Sequence, residues 1–166
     1  MYPNWKQLLR RMKLEHIKAK SPGFFDLSGG YALKTKPYND TTSNGLTTAI
    51  EDFINFLPHG EASRTNTMGM PRVMNGQVKW TKGNTRKGIA DIRGTYKGRS
   101  LSIEIKIGAD RQREAQKKEQ QRIISAGGFY WICKTFPDFL AQWEAAGFEV
   151  PQYQNVPSIV NNNKKQ

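Results

Sequence analysis

The spacing of apolar residues changes along the chain, and each change marks an element. Trp5, Leu8, Leu9 and Met12 recur at i, i+3, i+4 and i+7, which predicts a helix over residues 4–20. Lys6, Arg10, Arg11, Lys13, Lys18 and Lys20 surround that stripe, and Ser21-Pro22-Gly23 stops it. The segment is read either as an arm that docks DNA or a partner, or as a helix packed on the domain with a solvated basic face. Residues 26–45 are rich in Gly, Thr and Asn, so a linker or long loop is expected. A second helix follows, with Ser43 or Asn44 as its cap; Leu46, Ile50, Phe53, Ile54 and Leu57 form its stripe and Pro58 ends it. Arg64–Arg72 reads as a polar loop, Gln77–Trp80 as a short strand and Thr81–Lys87 as a basic turn.

The period then falls to two. Gly88–Ile92 and Leu101–Ile107 are apolar runs separated by the polar segment Gly94–Ser100, which contains a Lys97-Gly98 turn signal. This predicts a β-hairpin or a loosely paired two-strand unit. Gly108–Arg113 leads into a helix reaching about Ala126, with Gln116, Gln120, Ile123 and Ile124 on the stripe turned to the sheet and Gly127-Gly128 at its end. Phe129–Cys133 reads as a buried strand. Thr135, Pro137 and Asp138 open a last helix, packed through Phe139, Leu140, Trp143 and Ala146 and closed by Gly147. The order of elements predicts an α/β domain with a mixed central sheet flanked by helices.

In the second motif strand Ser102, Glu104 and Lys106 point one way, and Leu101, Ile103, Ile105 and Ile107 the other. Asp91, on the neighbouring strand, can reach the same spot. Two carboxylates can hold a hard cation such as Mg²⁺ through oxygen. A cation there lowers the pKa of water and neutralises phosphate charge, while a lysine positions or deprotonates the water. Taken alone, the alternation is better explained by a solvated strand face, because acid–base alternation is common there.

The wider pattern alters that balance. Gly88-Ile89-Ala90-Asp91, then Glu104-Ile105-Lys106, then Gln116 ten residues after the lysine, then Gly127-Gly128 form an ordered set. With Arg64-Thr65-Asn66 and Gly69 upstream, the set resembles the PD-(D/E)XK nucleases, and within them the small stand-alone phage and bacterial members of the VRR-NUC family. The resemblance spans roughly residues 45–145; Ala90 stands where the superfamily name has proline. It implies a restriction-endonuclease-like core and a Mg²⁺-dependent DNA endonuclease, with Mn²⁺ able to substitute. By resemblance Asp91 and Glu104 are metal ligands together with the backbone carbonyl of Ile105, Lys106 orients or activates the water, and Glu51 and Gln116 support it. For Glu51 the plain alternative is a surface acid near a helix start. The resemblance also suggests branched, flapped or Holliday-junction DNA as substrate and a homodimer. The expected organisation is a basic helix and linker over 1–44, a nuclease domain over 45–148 and a flexible tail over 149–166.

Composition fits a polyanion partner. The 166 residues carry a net charge of +12, and the pI is near 9.9. Arg64, Lys82, Arg86 and Lys87 flank the motif and are candidate phosphate contacts. One cysteine and two histidines exclude an internal disulfide framework and a Cys/His zinc cluster. No apolar run is long enough for a membrane span, and no signal-peptide core stands at the N-terminus, so an intracellular protein, in the cytoplasm of a bacterial or phage-infected cell, is expected. Two other readings remain at this point: a non-catalytic basic DNA-binding protein on a nuclease fold, and a restriction-type enzyme that reads a base sequence.

Overall fold

In the computed structural model, which describes residues 4–23, 37–65, 69–81 and 87–152, one sheet separates an apolar layer from a polar one. The elements in chain order are α1 (Trp5–Lys20), α2 (Ser43–Phe56), β1 (Gly60–Arg64), β2 (Met70–Met74), β3 (Gln77–Thr81), β4 (Ile92–Tyr96), β5 (Arg99–Ile105), α3 (Glu114–Ser125), β6 (Phe129–Cys133) and α4 (Phe136–Ala145). The central sheet has the order β1-β4-β5-β6. Its first three strands pair antiparallel and β6 joins β5 in parallel. The predicted mixed α/β architecture with flanking helices is therefore observed.

The motif hairpin forms because Lys97 and Gly98 both take positive φ, 47° and 75°. A type I′ two-residue hairpin turn requires this at both central positions. The strands are longer on the turn side than the apolar runs suggested. Gly94–Tyr96 and Arg99–Ser100 are paired residues, not a connecting loop, and Asp91 falls just before β4. Their polar side chains belong to a strand face, which the sequence pattern does not distinguish from a turn.

One face of the sheet presents Ile92, Tyr96, Leu101, Ile103, Ile105, Trp131 and Cys133 to the main core. Against it lie Leu46, Ile50, Phe53 and Ile54 of α2 and Phe136, Phe139, Leu140 and Trp143 of α4. Phe53 meets Phe139 and Trp143 edge-on at centroid distances of 5.4 and 5.2 Å, a favoured aromatic geometry. Each such buried side chain contributes about 1.5–3 kcal/mol. The basic helix α1 adds Trp5, Leu9 and Met12 to this core, so it packs on the domain with its cationic side outward.

Helix α2 starts slightly earlier than expected. Its cap is Thr42, whose hydroxyl accepts from Gly45 N at 3.1 Å. Helix α4 is capped as predicted, with Thr135 Oγ1 accepting from Asp138 N.

Two strands depart from expectation. Arg64 ends β1, the edge strand of the sheet, and Met70–Arg72 lie in β2, so only Thr65 and Gly69 of the expected Arg64–Arg72 loop are described outside strands. The strand expected at Gln77–Trp80 exists as β3, but it pairs with β2 in a separate two-stranded ribbon. Most of the expected linker, residues 26–36, lies outside the described residues, as do residues 82–86 and 153–166.

Candidate functional site

The second face of the sheet is polar. Arg93, Ser102, Glu104 and Tyr130 alternate with the core residues and lie under α3. The pairing of Ile92 with Ile103 places Asp91 beside Glu104. Asp91 is fixed there through Oδ2, which accepts from Ile105 N at 2.9 Å, and through its carbonyl, which accepts from Thr65 N at 2.8 Å. Gly88 lets the chain before Asp91 pass close under α3. It has φ of 79°, and a Cβ there would lie 2.2 Å from the Ala115 carbonyl oxygen in the first turn of α3.

Glu104 is 1 % exposed. Its Oε1 accepts from Lys106 Nζ at 2.9 Å and from Gln116 Nε2, while Oε2 is buried without a hydrogen-bond partner. Gln116 is held in turn, since its Oε1 accepts from Arg113 N in a capping box at the start of α3. Burial pushes the Glu104 carboxyl pKa up; the Lys106 hydrogen bond opposes this, and the Asp91 and Asp110 charges add to it. For Lys106, burial works to lower the pKa, but hydrogen bonds to Glu104 and Asp110 outweigh it and the net shift is upward. Asp110 Oδ2 lies 3.1 Å from Lys106 Nζ. Lys106 is therefore an ammonium at neutral pH.

Asp91, Glu104, Lys106, Gln116 and the Ile105 backbone thus come together as the sequence suggested. Glu51 does not join them directly. Its Oε1 accepts from Arg64 N at 3.2 Å at the end of β1, next to the Thr65–Asp91 contact. Arg64 is exposed and donates to Asn44 Oδ1, and Lys87 is exposed; Lys82 and Arg86 lie outside the described residues.

Sequence reasoning missed two participants. Asp110 is the second partner of Lys106. Glu119, 5 % exposed, is the one buried residue of α3 and pairs with Arg93 at 3.2 Å and Arg122 at 2.6 Å. It takes the sheet-facing place expected for Ile124, which is 53 % exposed. Its position three residues after Gln116 was the only available hint.

Among the described residues, no three His, Cys, Asp or Glu side chains form a metal cluster. The pair Asp91 and Glu104 still fits a hard divalent cation. The donors are all oxygen, Glu104 Oε2 is an orphaned buried acceptor, and Mg²⁺ is commonly held by one or two carboxylates with water completing the shell. Comparison with models of known protein families gives no match, and comparison with curated proteins gives none either. Among the described residues no helix is long and apolar enough to cross a membrane.

Proposed function

We propose that this chain is a divalent-metal-dependent DNA endonuclease of the PD-(D/E)XK type, nearest in pattern to the VRR-NUC family, and that branched or flapped DNA is its substrate. One observation carries the reading. Glu104 is buried with an unsatisfied carboxylate oxygen, beside a second carboxylate and an ammonium. A buried acceptor left unpaired costs about 1–3 kcal/mol, more when charged, and a cation relieves that cost. The mixed sheet with flanking helices agrees with a restriction-endonuclease-like core.

In this reading Asp91, Glu104 and the Ile105 carbonyl hold Mg²⁺, with Mn²⁺ as a substitute. Bound there, the cation supplies Lewis acidity, which makes water a better nucleophile and offsets phosphate charge. Gln116 fixes the Glu104 carboxylate by donating to Oε1. Lys106 Nζ donates hydrogen bonds and carries positive charge, so it orients the attacking water and stabilises the phosphorane-like charge. Glu51 braces the end of β1 next to Asp91. Exposed Arg64 and Lys87, within a chain of net charge +12, supply phosphate contacts.

The test is cleavage of labelled duplex, single-stranded, flap and four-way-junction DNA in Mg²⁺, in Mn²⁺ and in EDTA, with Asp91→Ala alongside. Metal-dependent cutting that disappears in Asp91→Ala, while most DNA affinity remains, is expected. Binding without cutting across both metals and all four DNA shapes would overturn the reading and leave a non-catalytic DNA-binding protein.

A further inference from the structure

Four of the five large apolar side chains exposed among the described residues, Val73, Met74, Val78 and Trp80, lie on the β2–β3 ribbon. Asn75 and Gly76 take φ of 52° and 74°, so a tight turn closes it. It has no extensive contact with any other element. The register makes it two-faced. Pro71 with Trp80 and Val73 with Val78 occupy one face, while Arg72 pairs directly with Lys79 on the other. Val73, Val78 and Trp80 are 75 %, 67 % and 70 % exposed, and Met74, on the face of Arg72 and Lys79, is 51 % exposed. An isolated two-stranded ribbon is marginal in water, and like charges placed opposite each other destabilise it further. The residues Met70–Thr81 contain no acid to offset Arg72 and Lys79.

These features call for a partner that is anionic and also presents flat apolar surface. A second copy of the chain is the weaker fit. It would set Arg72 and Lys79 against the same positive charges, with no acid in Met70–Thr81 to offset them. Nucleic acid with unpaired bases satisfies both faces. Phosphates neutralise Arg72 and Lys79, and an unstacked base has a flat ring for Trp80.

In the chain the ribbon is inserted between β1 and Asp91. The chain leaves β1 through Thr65, which is bonded to the Asp91 carbonyl, and returns to Asp91 through Lys87 and Gly88. We infer that the β2–β3 ribbon is a nucleic-acid clamp that takes an unpaired base on Trp80 and backbone phosphates on Arg72 and Lys79, and so selects DNA with a single-stranded flap or branch. This rests on DNA as the partner and deepens the proposed function, but it does not depend on cleavage.

The test is binding in EDTA, where chemistry is off. The probes are a blunt duplex and a duplex of equal length carrying a single-stranded flap. Trp80 is the one exposed tryptophan, since Trp5, Trp131 and Trp143 are 7 %, 7 % and 0 % exposed. Acrylamide quenching of tryptophan emission therefore reports on the ribbon. Flap DNA is expected to protect emission from quenching in the wild type, with the protected component absent in Trp80→Phe.

Trp80→Ala is expected to weaken flap binding by at least about fivefold, the lower bound for one lost base–aromatic stack, and to leave blunt-duplex affinity within about twofold. The double variant Arg72→Ala/Lys79→Ala should weaken both DNAs alike and lower the salt slope by about two. Circular dichroism melts should match the wild type, because the ribbon does not support the core. Trp80→Ala with unchanged flap affinity would overturn the inference, even if Mg²⁺-dependent cleavage is observed. Loss of acrylamide quenching with rising protein concentration in the absence of DNA would also overturn it, by showing that a second copy covers the ribbon. Trp80-dependent flap binding, with no cleavage of any of the four DNA shapes in Mg²⁺ or Mn²⁺, would support the clamp and sink the nuclease reading instead.

Discussion

Replacing Lys106 with methionine leaves Glu104 buried without its cation. The two side chains are 6 % and 2 % exposed, with Nζ and Oε1 2.9 Å apart. Removing one member of such a pair costs about 3–5 kcal/mol, because the remaining charge stays desolvated. The Glu119 cluster makes a useful contrast. Its arginines, Arg93 and Arg122, are 41 % and 57 % exposed, so they can turn to water when Glu119 is neutralised, and a smaller loss of about 1–2 kcal/mol follows.

In Lys106→Met the Glu104 carboxylate can escape its position by taking up a proton. Its pKa is already raised, chiefly by burial, and Lys106 is the group that holds it down. A raised carboxyl pKa contributes stability that is fully present below the unfolded value, near 4.3, and is lost as pH rises through the folded value. Removing Lys106 raises the folded value further, so the deficit should be largest at pH 8 and shrink toward pH 5. Urea melts in EDTA at the two pH values measure this. With a slope of about 2 kcal/mol/M, the midpoint at pH 8 should fall by about 2 M. Adding Glu104→Gln should recover most of the loss, since no charge is then stranded. A deficit below about 1 kcal/mol at pH 8 with no pH dependence would refute the reasoning, because Glu104 would then be hydrated in solution.

Three further outcomes are expected. Gly88→Ala should cost about 2–4 kcal/mol in a thermal or urea melt, from the positive φ and the contact with the Ala115 carbonyl together; a neutral result would mean the Gly88–Asp91 segment does not pass under α3. Cys133 is fully buried and burial pushes its thiol pKa up, so it should resist a thiol reagent in the native state, even at pH 9, and react at once in denaturant. Asp91→Ala should abolish Mg²⁺-dependent cleavage while DNA affinity stays within a few-fold, because phosphate contacts supply most non-specific binding; a gel-shift titration beside the cleavage assay separates the two effects.

The motif hairpin was legible because its signals are local. Lys97-Gly98 sets the turn, and alternation sets the faces of β5. Strand β1 was not legible, since Ala62 is its one buried residue and a single apolar position has no period. Asn55 holds it to α2 instead: its side chain donates to the Ala62 carbonyl and accepts from Ala62 N, both at 2.8 Å. Such a side-chain clasp leaves no periodic trace. Helix α3 misled in the same way. A glutamate that faces the sheet reads as solvent-facing until Arg93 and Arg122 are seen around it. Asp91, Glu104, Lys106 and Gln116 stood out through their order and spacing along the chain rather than through the alternation. The alternation alone favoured a solvated face, whereas Glu104 and Lys106 are buried.

That burial changes what holds the polar layer together. Ser102, Glu104 and Lys106 are 3 %, 1 % and 5 % exposed, close to Leu101, Ile103 and Ile105 on the other face. The strand is amphipathic yet covered on both sides. On the apolar side, burial of α1, α2 and α4 supplies ordinary hydrophobic stabilisation. On the polar side, α3 has no fully buried apolar residue. Its docking relies on Gln116 with Glu104 and on Glu119 with Arg93. Those bonds depend on the charge of the groups beneath. Two of the contacts that hold α3 therefore involve charged groups of the sheet, whereas the core behind the sheet is apolar. A domain arranged in this way can tolerate an electrostatically unfavourable Glu104, because its stability comes mainly from the opposite face.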